Sequence, residues 1–168
     1  IYDVGMSHLG IQILYHILNG KEGVSCERVF APWVDMEKAL REKKIPFASL
    51  ESSTSLNQFD IIGFSLQYEL SFTNVLNMLD LSNIPFFSKD RDERFPLVIA
   101  GGPSAFNPAP VADFFDAMVI GDGEEVVLEI CDLALEWKEA KERKEDLLKS
   151  LSELAGVYVP SQYTNGHK

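Results

Sequence analysis

The stretch that most restricts the fold is residues 97–125, LVIAGGPSAFNPAPVADFFDAMVIGDGEE. Residues 97–100 and 117–120 are short apolar runs without polar alternation, as strands buried on both faces of a parallel sheet are. Each runs into a glycine turn, first Gly101-Gly102 and then Gly121-Asp122-Gly123, and helical sequence follows each turn. Strand–turn–helix units in series close through right-handed crossovers, which puts both turns on one edge of the sheet. In open α/β sheets that edge, beyond the strand C-termini, is where ligands bind.

The rest of the chain extends the alternation. Residues 8–19 form a helix with Ile11, Leu14, Ile17 and Leu18 at helical spacing, Ser7 as its N-cap and Gly20 just past its end. A strand at 27–31 stops at Pro32, and a helix at 36–43 follows with Asp35 as its cap and Glu37 paired to Arg41. A short strand at 46–50 and a polar connector at 51–58 lead to the run 59–66, apolar enough to be buried on both faces. Residues 69–81 form a helix packing through Phe72, Val75, Leu76 and Leu79. The connector 82–96 carries charges of alternating sign from Lys89 to Arg94, read as solvated. A long helix at 124–143 turns Val127, Ile130, Leu133, Ala134 and Trp137 inward and pairs Glu139 with Arg143 outside. The mixed charges of 136–153 read as a solvated face. Leu147, Leu148, Leu151 and Leu154 continue a second helix ended by Gly156, and 157–159 is a last short strand.

The expected fold is therefore α/β: a flavodoxin-like, Rossmann-like, doubly wound parallel sheet in three α/β/α layers. A sheet of this kind carries a strand ahead of its first helix. Almost nothing precedes that helix here, and the first residue is Ile1 rather than Met, so a truncated first strand and a fragment of a longer protein are expected. The α/β domain is placed at residues 1–155, with 156–168 as a linker.

With 168 residues the chain is long enough for one domain with a real core. The formal net charge of −11 argues against a phosphate-backbone partner and is most simply a matter of solubility. No apolar run approaches the ~20 residues that span a bilayer, and no signal peptide is visible, so no membrane partner and a cytoplasmic location are expected. Cys26 and Cys131 form no CxxC or zinc spacing and read as reduced, buried thiols. His8, His16 and His167 match no metal-binding spacing.

Four turns meet at the expected edge. The first is Ser7-His8. The second, Ser65-Leu66-Gln67-Tyr68, sets polar groups at a strand end, where ligand contacts and helix capping are both ordinary roles. The third, Gly101-Gly102-Pro103-Ser104, allows close approach of a phosphate to free N–H groups, or is a tight turn needing positive φ, the simpler reading of the dipeptide alone. It is neither a P-loop nor a GxGxxG fingerprint. The fourth, Gly121-Asp122-Gly123-Glu124, offers carboxylates to a hydroxyl or cation, or more simply caps the next helix through Asp122. No Ser/His/Asp or Cys/His order specifies a catalytic machine.

The runs YDVGMSHLGIQILYHIL, RVFAPW, LESSTSLNQFDIIGFSLQYELSFTNVLNMLDL and VIAGGPSAFNPAPVADFFDAMVIGDGEE resemble the N-terminal region of a family of radical SAM proteins. In that family a cobalamin-binding-like domain precedes the iron–sulfur domain. The resemblance covers about residues 1–163 and implies cobalamin lying across the strand C-termini. Ser65 and Leu66 match its Ser-x-Leu/Thr position, Gly101-Gly102 its Gly-Gly position, and Gly121-Asp122-Gly123-Glu124 its G-[ED]-G-E turn. Against the D-x-H-x-x-G pattern of histidine-ligated cobalamin domains, Asp3 is followed two places on by Gly5, and His8 is out of register. Any cobalamin would bind without a histidine axial ligand.

The chain also lacks the C-x3-C-x2-C that holds a [4Fe–4S] cluster, so cluster and S-adenosylmethionine belong to the parent protein only. The expectation is an accessory, non-catalytic cofactor domain whose partner is the radical SAM barrel of the same parent chain. The alternative is a docking or substrate-recognition module that has kept the fold and lost cobalamin.

Overall fold

A computed structural model describes residues 2–163. His167 and the TNGHK tail lie outside the described residues. In order, the elements are helices α1 (Tyr2–Gly5), α2 (Leu9–Asn19) and α3 (Val34–Lys43), strand β1 (Ile61–Ser65), α4 (Phe72–Leu81), β2 (Leu97–Gly101), β3 (Ala117–Val119), α5 (Val126–Ala140), α6 (Lys144–Ser152), β4 (Val157–Tyr158) and α7 (Pro160–Tyr163). The sheet runs β1-β2-β3-β4. β1, β2 and β3 are parallel, and β4 returns antiparallel to β3. β4 lies beyond residue 155, so the sheet takes in the first residues of the segment expected to lead out.

The two faces of the sheet carry separate cores. One gathers Ile62, Val98, Ala100 and Met118 against α4 (Val75, Met78, Leu79) together with Phe47, Leu56 and Phe115. The other packs Leu97, Ile99, Ala117 and Val119 on α5 (Val126, Ile130) and α6 (Leu147, Leu148, Leu151). β2 is buried along almost its whole length, as its unbroken apolar sequence requires. This is the expected three-layer, flavodoxin-like α/β arrangement.

Several local expectations give way. β1 is not buried on both faces: Ile62 is buried but Gly63 and Ser65 are exposed, because β1 is the sheet edge. Residues 27–31 form no ladder strand, and 46–50 contributes only the isolated bridge Ala48–Ser55. Neither run pairs with β1, whose ladder is with β2. α2 is capped by His8, whose Nδ1 accepts from the Ile11 N–H at 3.3 Å, while the Ser7 hydroxyl donates to the Val4 carbonyl. α3 begins at Val34 with Trp33 at the N-cap position and no side-chain cap; Asp35 accepts only from its neighbour's N–H, Met36. Glu37 and Arg41 do pair, at 2.9 Å.

α5 stops at Ala140, before Arg143, so the Glu139–Arg143 spacing is not realised and Arg143 pairs with Asp146. The two charge runs read as solvated each bury one cation, Arg91 and Lys144.

Candidate functional site

β1 and β2 end side by side, with Ser65 opposite Gly101. The Leu66 N–H donates to the Gly101 carbonyl at 2.7 Å, which carries the pairing one residue past the strand. Gly102 then takes φ 99°, a conformation that side-chain-bearing residues rarely adopt. A Cβ there would stand 2.9 Å from the Leu66 carbonyl oxygen, 3.2 Å from its nitrogen and 3.3 Å from Gln67 Nε2. The Ser104 N–H donates to the Leu66 carbonyl at 3.0 Å, and Pro103–Phe106 coils as a 3-10 turn. The glycine is therefore required because this loop folds down onto the Leu66 backbone. Leu66, Ser104 and Ala105 are buried beneath it. Gln67 donates to the Ser65 hydroxyl at 2.7 Å, so two of the expected ligand groups satisfy each other.

The fourth turn is built differently. Gly121 has φ 123° with nothing within 4 Å of where a Cβ would stand. α5 starts only at Val126, with no side-chain cap, so Asp122 does not cap it. Asp122 and Glu124 are exposed. A Cβ on Gly123 would stand 3.7 Å from Cδ2 of Leu14 in α2. The structure thus brings Ser65, Leu66, Gln67, Gly101, Gly102, Pro103 and Ser104 into one packed unit, and sets the Gly121–Glu124 turn beside α2. Ser7 and His8 make only the local contacts of the α2 start.

The edge is rimmed by apolar side chains that composition did not mark. Tyr68 (55% exposed), Leu70 (81%) and Phe106 (67%) stand on the loops that follow β1 and β2. Elsewhere a groove of about 500 Å³ lies among Tyr2, Phe30, Trp33, Met36, Phe47 and Leu50. Among the described residues no three His, Cys, Asp or Glu side chains gather as a metal site. Cys26 and Cys131 are free; burial, then the Glu51 carboxylate, pushes the Cys26 thiol up to about 11. No helix of the described residues is long and apolar enough to cross a membrane.

The strongest polar constellation lies at the opposite end of the strands. Asp116, just before β3, is wholly buried and accepts five bonds. One oxygen, Oδ1, takes the Ser88 hydroxyl at 2.6 Å and Lys144 Nζ at 2.9 Å. The other, Oδ2, takes the Val98 N–H at 2.7 Å and Arg91 through Nη2 at 3.1 Å and Nε at 3.3 Å. Arg91 also donates to the carbonyls of Pro85, Phe86 and Phe114. Fully satisfied, this knot ties the connector 82–96 and α6 to the sheet floor. Its sequence signal was a lone acid inside the apolar run FFDAMV.

The described residues form an α/β sheet, parallel but for β4, with the loops after β1 and β2 packed together at the strand ends. The family described as radical SAM proteins, N-terminal, matches residues 10–160, and the chain belongs to that family. It is similar to an uncharacterized protein of Methanocaldococcus jannaschii, 30% identical over 115 residues that make up 66% of this chain and 24% of that protein. The chain thus spans about a quarter of the length of this curated relative. No solved structure matches it.

Proposed function

We propose that this domain is a non-catalytic accessory module that docks, by the loops beyond β1 and β2, onto the iron–sulfur barrel of its parent radical SAM protein. The observation carrying this reading is the trio Tyr68, Leu70 and Phe106: large apolar side chains held largely in water on adjacent loops at one sheet edge. Side chains of this kind on adjoining loops have the character of an interaction surface. Family membership supports a parent that carries a cluster and S-adenosylmethionine, whose chemistry lies outside these residues.

Cobalamin lying across the strand ends is the alternative reading, and the packing between β1 and β2 gives it little support. The place where Gly102 would leave room is taken by the Leu66 backbone and Gln67. The Ser65 hydroxyl is held by Gln67, and His8 Nδ1 is spent on the cap of α2. A corrin would have to lie on the surface, without histidine.

The test is Leu70→Asp with Phe106→Asp in the full-length parent. Both side chains are exposed, so the melting temperature of residues 1–168 should hold while interdomain protection from proteolysis is lost. Unchanged proteolysis of the parent would refute docking through this edge. Corrin absorbance titration of residues 1–168 tests the alternative: saturable binding would restore it.

A further inference from the structure

The open side of β1 carries an account of its own, independent of what the strand-end loops bind. The ladder with β2 is bounded by Leu97 N–H to Asp60 O and Leu66 N–H to Gly101 O. In a parallel pair, alternate residues face the partner. The even-numbered residues 60–66 therefore turn their backbone groups to β2, and Ile61, Gly63 and Ser65 turn theirs away. No strand lies on that side, and among the described residues no hydrogen bond reaches those groups.

A second such row faces the same core. Residues 26–31 contain neither helix nor turn. Arg28 uses both its backbone groups on one side: its carbonyl accepts from Leu50 N–H, and its N–H donates to Glu51. The backbone groups of Val29 and Ala31, pointing the other way, have no partner among the described residues. Both side chains pack on the core that holds Ile62. Two open rows of backbone N–H and C=O groups bordering one core form a slot for a strand, because an unpaired row of this kind is a ready template for pairing.

The helix above is unfinished in the same sense. α2 is rich in Ile and Leu, yet none of its residues is fully buried. A strand in the slot would lie against the core that Val29, Ala31 and Ile62 border, so it must be apolar on that face.

We infer that this slot takes a parallel β-strand supplied by the same polypeptide directly ahead of Tyr2. The start of α1 fixes the source. Tyr2 stands edge-on to Phe30, ring centroids 6.0 Å apart, and the Gly5 backbone lies on the same ring. Phe30 is near the C-terminal end of the 26–31 row, where a strand parallel to it would leave the slot and enter α1. The onward path through α2 into 26–31 is then an ordinary right-handed crossover.

Two measurements test this. The coding sequence should place a mostly apolar run of about five or six residues, the usual strand length, directly ahead of Tyr2. A charged or Pro-rich run there overturns the inference. Second, hydrogen exchange is followed in the chain extended by those preceding residues. The amides of Ile61, Gly63, Ser65, Val29 and Ala31 should exchange at least about a hundredfold more slowly than unpaired amides do. Protection at Ile62 and Phe64 reports that the sheet itself has formed. Fast exchange at the odd-numbered positions with slow exchange at Ile62 and Phe64 overturns the proposal. So does protection that appears in residues 1–168 only as they dimerise, which would assign the slot to a second copy.

Discussion

Replacing Asp116 with Asn is the sharpest probe of what holds this sheet to its surroundings. The change keeps shape and removes the charge that Arg91 and Lys144 share, with the Arg91 side chain wholly buried and that of Lys144 10% exposed. Geometry makes it worse than a charge loss. Both carboxylate oxygens accept only from donors, Ser88 and Lys144 on one, Val98 and Arg91 on the other. An amide must aim its NH2 at one of those sets, donor against donor. Removing one partner of a buried ion pair costs about 3–5 kcal/mol, against a total stability of roughly 5–15 kcal/mol. At about 2–4 °C per kcal/mol for a domain of this size, the melting temperature should fall by about 10 °C. Urea denaturation gives the free energy directly. Lys144→Met, which leaves Arg91 and Asp116 together, should cost about 1–2 kcal/mol. Combining it with Asp116→Asn should cost less than the sum, because the second change relieves an uncompensated cation. A loss below about 1 kcal/mol for Asp116→Asn, or strict additivity, would refute the view that this carboxylate holds both cations.

Gly102→Ala should destabilise by about 1–3 kcal/mol, since it sets a Cβ against the Leu66 carbonyl at positive φ, whereas Gly121→Ala, with open space around it, should cost less; thermal melts of the two variants decide. With its thiol pushed up to about 11, Cys26 should alkylate at pH 9 some tens of times more slowly than a small free thiol and speed up as pH rises through that value, which mass spectrometry of iodoacetamide-treated protein can follow. Tyr68→Ser should change the melting temperature of residues 1–168 by no more than the ±0.5 kcal/mol typical of exposed sites, yet weaken the interdomain contact in the parent protein, measured by limited proteolysis.

The alternation of apolar runs with amphipathic helices determined the fold class, and the runs 97–100 and 117–120 were legible as β2 and β3 because continuous apolar sequence has nowhere else to go. The turns at Ser65 and Gly101 were expected on one edge, since parallel crossovers put strand ends together; that the two residues stand directly opposite is a matter of strand order and register that only the structure shows. Periodicity found Val75 and Leu79 of α4, Ile130 of α5 and Leu147, Leu148 and Leu151 of α6, while α5 buries Val126 and Cys131 in place of the expected Val127. It could not say that 59–66 is an edge, because burial on the second face depends on whether a neighbouring strand is present. Nor could it tell that Gly102 serves the Leu66 backbone: a glycine admitting a ligand and one admitting its own chain look alike in sequence. The charge runs misled for a related reason. Arg91 and Lys144 sit among solvated neighbours along the chain, and only the folded structure carries them to a carboxylate 25 and 28 residues away in sequence. Local sequence determines periodicity and turn chemistry. Which charges are desolvated, which glycines are filled and which strand edge stays open are long-range facts, decided when the layers close.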